Sequence, residues 1–232
     1  MTRRQISSTG RVFPRQAERA LRAKKLLKYL KKTYPTPKTE LFYTTPFQFL
    51  VAVILSAQCT DKAVNKVTKV IFMNYKTVSD FAHATPTMFA KEISSIPFFN
   101  NKARAIIGAA KLLLEQFDGK VPRSENELTS LPGVGYKTAH VILGELFDMW
   151  EGIPTDTHVK RFARRFDLTD RTDLKHISKD LEILIPKKDW KYVNNGFVLY
   201  GRYVCNARPH DCTRHPLTLL WPPASKRWFP AT

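Results

Sequence analysis

Two residues of this chain stand out for the chemistry their surroundings allow. Lys137 lies in Leu131-Pro132-Gly133-Val134-Gly135-Tyr136-Lys137-Thr138-Ala139, and Asp156 in Pro154-Thr155-Asp156-Thr157-His158. An unprotonated amine can attack an electrophilic sugar carbon and form a Schiff base, and a nearby carboxylate can accept or relay the proton. Each residue also has a plainer role. A lysine beside a phosphate is a charge contact, and an aspartate in this setting caps the following helix, stabilising it by about 1 kcal/mol. The two glycines before Lys137 carry no Cβ, so the backbone there can turn tightly and approach a partner closely. The amides around Gly133, Val134, Gly135 and Thr138 are then free to face a phosphate. If 136–147 is a helix, its N-terminal amides and dipole strengthen that anion site. The pattern reads as helix-hairpin-helix.

The elements that must position these residues are helical. Strand signals are nearly absent and helical periodicity recurs from Arg15 to about Arg202, so the fold class expected is all-α. The segment 15–32 is a basic amphipathic helix with Ala20, Leu21, Leu26, Leu27 and Leu30 as apolar contacts, ended by Tyr34-Pro35-Thr36-Pro37. The segment 47–57 is apolar almost all round, which suits a central buried helix. Helices follow over 61–74, 78–84 and 86–95, and then over 100–117, with a stripe of Ala103, Ile106, Ile107, Ala110, Leu114 and Phe117. Ser124-Glu125-Asn126-Glu127 is a capping-box pattern that starts a short helix running into Leu131. On the helix after it, Ala139, Ile142, Leu143 and Leu146 share one face, and Lys137 lies nearly opposite, away from the core. Further helices are expected over 157–166, 174–185 and 190–204, with irregular chain beyond Cys205. The domain division is a flexible basic arm at 1–17, a six-helix subdomain at 39–150 holding the hairpin, and a second helical subdomain of 18–38 plus 151–232. The active site is expected in the cleft between the subdomains.

Composition points to the partner. The chain has 232 residues, with 38 Lys and Arg against 20 Asp and Glu, a net charge of +18 that favours a polyanion, nucleic acid first. Its 43% hydrophobic content is enough for a core. No apolar run approaches the ~20 residues that span a bilayer, and no secretory signal is visible. Three cysteines, Cys59, Cys205 and Cys212, are too few and too scattered for a disulfide scaffold. A monomer in a reducing intracellular compartment, cytoplasm or nucleoid, is expected. The basic first 17 residues suit a DNA-contacting arm and are also compatible with organelle targeting.

Taken together, Ser56-Ala57-Gln58-Cys59-Thr60-Asp61, Ile96-Pro97-Phe98-Phe99-Asn100-Asn101-Lys102-Ala103, the hairpin and Thr155-Asp156-Thr157-His158 resemble the endonuclease III family of helix-hairpin-helix DNA glycosylases. The resemblance runs from about Leu27 to Cys212. It implies excision of oxidised pyrimidines from duplex DNA followed by β-elimination that nicks the strand 3′ to the abasic site. It assigns Lys137 as nucleophile and Asp156 as the assisting carboxylate. It places Gln58 against the orphaned base and Phe98 as a wedge in the stack, with Ser56 and His158 lining the pocket. Pro97-Phe98-Phe99 stands where the family commonly has Gly-Leu-Tyr, which leaves lesion preference open. The alternatives are a monofunctional glycosylase and a catalytically silent hairpin protein that only clamps phosphate.

The resemblance also implies a 4Fe-4S cluster held by Cys-x6-Cys-x2-Cys-x5-Cys. Those positions here read Cys205, Cys212, His215 and Trp221, within a degenerate loop at 205–221. The expectation is therefore that no cluster and no other cofactor is bound, beyond a monovalent cation on the hairpin carbonyls. A zinc site from Cys205, Cys212 and His215, with His210 as a further ligand, is the lesser reading.

Overall fold

The computed structural model describes residues 12–228, and among these every regular element is helical. The basic arm expected at 1–17 lies outside the described residues as far as residue 11. From Val12 onward its remainder belongs to the first helix. The chain divides into two compact units, Lys38–Glu151 and a unit made of the segments 1–37 and 152–232.

The Lys38–Glu151 unit holds α2 (Pro46–Ser56), α3 (Asp61–Asn74), α4 (Val78–Ala82), α5 (Pro86–Glu92), α6 (Phe99–Gln116), α7 (Glu125–Ser130) and α8 (Tyr136–Phe147). That makes seven helices where six were expected. α2 is the centre. Thr45 caps it through the Gln48 amide and Pro46 fills its first turn, where a missing N–H costs nothing. Phe49, Leu50, Val51, Ala52 and Leu55 are fully buried, so the helix is enclosed on all sides. α3, α6 and α8 pack on it. α6 buries Ala103, Ile106, Ile107 and Ala110 as expected, but Leu113 continues the stripe and Leu114 is exposed. Both positions extend the i, i+3, i+4 pattern, and the neighbouring helices decide between them.

The other unit holds α1 (Val12–Thr33), α9 (Thr157–Arg165), α10 (Leu174–Leu184), α11 (Trp190–Tyr203) and α12 (Pro216–Leu220). α1 buries Ala23, Leu26, Leu27 and Leu30, while Leu21 faces solvent. Phe162 of α9 stacks on Phe197 of α11 at 5.2 Å between centroids. Asp167, just past α9, gathers Arg15, Arg19 and Arg22 of α1 at 3.1–3.3 Å. Burial pushes the Asp167 carboxyl up, but hydrogen bonds and charge from Arg19 and Arg22 outweigh it and hold the group below its ordinary value. The chain after Cys205 is more ordered than expected. Pro216 begins α12 and Pro222 begins a 3₁₀ turn to Lys226, because proline suits a first helical turn.

Candidate functional site

The hairpin is built as the residues require. α7 ends at Ser130, the chain turns through Pro132 and Gly133, and α8 begins at Tyr136. Ser124 caps α7 by accepting from the Glu127 amide, and its hydroxyl donates to Glu127 Oε2 at 2.7 Å. His140 Nε2 on α8 lies 2.9 Å from Glu125 Oε2 on α7, which ties the two helices together. The two glycines are not equivalent. Gly133 has φ +82°, and a Cβ there would lie 2.9 Å from Ala105 Cβ and 3.4 Å from Ile54 Cγ2, so only glycine fits. Gly135 is extended, with φ −94°, and nothing lies within 4 Å of an added Cβ. The turn makes no demand for glycine there.

Val134 is buried beneath the hairpin, whereas Thr138 is half-buried and Lys137 is exposed on the first turn of α8. The helical phase that set Lys137 opposite Ala139 and Leu143 agrees with this, since both of those are fully buried.

Gly133 packs on Ile54 of α2 and Ala105 of α6, so the hairpin sits against the same pair of helices that carry Gln58 and Phe98. Gln58 follows α2, is exposed and has φ 54°. Phe98 precedes α6, has φ 59° and is 62% exposed, so it does not pack in the core. Both non-glycine residues are held in the left-handed region, a strained choice that persists only where the surroundings impose it. On the Gln58 side, Lys102 holds the preceding chain. It is 6% exposed, and its ammonium donates to Leu55 O at 2.8 Å and Ala57 O at 2.6 Å. One α6 side chain thus pins the end of α2 one residue before Gln58. Burial holds the Lys102 ammonium below its ordinary value, with Cys59 opposing. Lys102 lies inside the 96–103 motif, but a lysine on a helix reads as solvent-facing, so no local signal marks this role. Ser56 is half-buried, and its hydroxyl donates to Val53 O at 2.8 Å.

Asp156 belongs to the other unit and is the N-cap of α9. Its Oδ1 accepts from the amides of His158 and Val159, both at 2.9 Å. The capping role is therefore real, and since both bonds fall on Oδ1, Oδ2 is not committed to it. His158 is half-buried near Arg161, on the side where Gly201 of α11 allows close approach.

The Cys205 region differs from expectation. Cys205 Sγ and one ring nitrogen each of His210 and His215 all lie within 4.8 Å of one another. Cys212, expected among the ligands, is not in that group, and its Sγ accepts from Arg165 Nη2. Arg165 is 1% exposed, and it also donates to Cys205 Sγ and Ala224 O, each at 2.9 Å, under the Trp228 ring. Burial pushes the Cys205 thiol up, with Arg165 opposing. Burial, then His210 and Arg165, push the His215 imidazole down, with Asp211 opposing.

Comparison with known proteins places these features. A family model described as HhH-GPD superfamily base excision DNA repair protein matches residues 51–187. Endonuclease III of Synechocystis sp. is 44% identical over 210 residues, covering 90% of this chain and 96% of the relative. Endonuclease III of Bacillus subtilis is 38% identical over 195 residues, covering 84% and 89%. A solved structure of a trapped endonuclease III–DNA covalent intermediate, an estranged-adenine complex, superposes with a TM-score of 0.83 at 37% identity, covering 90% of this chain and 98% of that one. A non-covalent endonuclease III–DNA complex gives the same score and identity. Endonuclease III homologues normally carry a 4Fe-4S cluster. That relationship, with the Cys205, His210 and His215 group, overturns the expectation that no cluster and no other cofactor beyond a monovalent cation is bound. The expectation matched the motif's linear spacing, and His210 lies outside that spacing. The donors gathered here are one thiol and two imidazoles, a different set from the four thiolates such a cluster takes. The all-α fold, the hairpin and a likeness over 90% of the chain together make it a member of the endonuclease III family, within the HhH-GPD superfamily of base excision DNA repair proteins.

Proposed function

We propose that this chain is a base excision repair DNA glycosylase and AP lyase that removes oxidised pyrimidines from duplex DNA. The observation that carries the reading is Lys137, exposed on the first turn of α8 directly after a hairpin whose two glycines are exposed. The hairpin and helix N-terminus bind a backbone phosphate, which sets the register of the strand. The Lys137 amine attacks C1′ of an extruded nucleotide. The N–C1′ bond forms as the glycosidic bond breaks, and the bonding pair leaves with the base, which takes up a proton. Ring opening gives the Schiff base. Loss of a C2′ proton then expels the 3′ phosphate, and water releases the lysine. Asp156 accepts and returns protons through the carboxylate oxygen that its cap leaves free.

Gln58 fills the space facing the orphaned base and Phe98 wedges into the stack, an exposed ring suited to that role. Lys102 positions both loops. Ser56 and His158 border the extruded nucleotide.

Borohydride trapping tests this on duplexes carrying thymine glycol or an abasic site. The wild-type chain should give a covalent adduct on both, and Lys137→Ala on neither, while Lys137→Ala keeps most of its DNA affinity because other cations supply phosphate contacts. Base release without an adduct would instead mean a monofunctional glycosylase. Tight binding with neither would mean a phosphate clamp without catalysis.

A further inference from the structure

We propose that Cys205, His210 and His215 form a mononuclear zinc-class metal site, with ligands different from the four thiolates of the family's cluster. Three observations converge on it. Cys205 Sγ lies 3.8 Å from His210 Nε2. Two ligands on one tetrahedral zinc, at its usual sulfur and nitrogen bond lengths, stand about 3.6 Å apart. The pair is thus already spaced for one ion, and small side-chain adjustments bring in His215. Second, His210 Nδ1 lies 2.7 Å from Arg208 O. A carbonyl only accepts, so Nδ1 carries the proton and Nε2 presents its lone pair to Cys205, which is the arrangement metal-bound histidines adopt. Third, His215 Nδ1 is buried with no hydrogen-bond partner among the described residues. A buried orphan nitrogen is costly unless something absent from the protein chain satisfies it.

The step is a simple exchange. Cys205 gives its thiol proton to solvent, the thiolate and two imidazole nitrogens each donate a lone pair to the ion, and a water completes the tetrahedron. Arg165 donates to the same sulfur and balances the thiolate charge. The ion would clasp the loop after α11 to the segment entering α12. Cys212 is not among the three gathered donors.

Elemental analysis of the purified full chain, with assay of acid-labile sulfide, tests the site. About one zinc per chain without sulfide is expected. Cobalt substitution should give thiolate charge-transfer absorption that Cys205→Ser abolishes. His210 is half-exposed on a loop, so His210→Ala should fold, and it should weaken zinc retention by more than the roughly 10- to 100-fold typical of losing an outer-shell partner. His176→Ala, an exposed histidine on α10, should retain the metal. Iron with stoichiometric sulfide would overturn the mononuclear assignment in favour of a cluster. Metal-free protein after expression in zinc-supplemented medium, or zinc retained equally by His210→Ala, would overturn the site itself.

Discussion

Replacing Lys102 with methionine keeps the unbranched stem and removes the ammonium with the two bonds that hold the end of α2. The Leu55 carbonyl is buried and loses its bond to the ammonium, a penalty of about 1–3 kcal/mol. The Ala57 carbonyl is partly accessible and can rehydrate, so its loss adds roughly 0.5–1 kcal/mol. Relief of the buried charge offsets part of this, leaving about 2–3 kcal/mol. For a chain of this size that corresponds to a fall in Tm of roughly 4–12 °C. Lys111→Met, at an exposed position on the same helix, is the control and should stay within about 0.5 kcal/mol.

A purely structural role would stop at the Tm. A positioning role for Gln58 and Phe98 predicts more, because misplaced contacts cost roughly 10- to 100-fold in rate. Single-turnover excision of thymine glycol should fall by that amount, and cleavage of a preformed abasic site should fall less, since its base is already gone. Measured below the variant's Tm, equal losses in the two reactions would refute the positioning argument. A Tm matching Lys111→Met would refute the energetic one.

Arg165→Met should lower stability by about 3–5 kcal/mol in thermal or urea unfolding, since it leaves Ala224 O and both sulfurs without their buried cationic donor. Gly133→Ala should cost about 2–4 kcal/mol from left-handed strain and the clash with Ala105, whereas Gly135→Ala should leave stability within about 0.5 kcal/mol. If the Gly135 backbone meets a phosphate, Gly135→Ala should still weaken duplex binding in a titration. Asp167 has a depressed folded-state pKa, so its stabilisation is present above the unfolded value of about 3.9 and is lost as pH falls through the folded one. Asp167→Asn, which tolerates the left-handed backbone there, should be less stable at neutral pH and show a flatter acid limb below about pH 4.

Periodicity and caps carry the helices of this protein, because both are local. The 61–74 and 136–147 helices emerge with the bounds the sequence implies, since Thr60 and the hairpin glycines punctuate them within a few residues. The outward direction of Lys137 follows from helical phase alone. Through-space placement decided the rest. Lys102 lies 45 and 47 residues from the carbonyls it holds, Arg165 reaches 40 residues on to Cys205, and no local pattern marks either cation as buried. His210 joins Cys205 because the loop folds back on itself, while linear spacing pointed to Cys212. A sequence orders ligands along a line, and a metal site selects them by distances of a few ångströms, which only the packed chain sets.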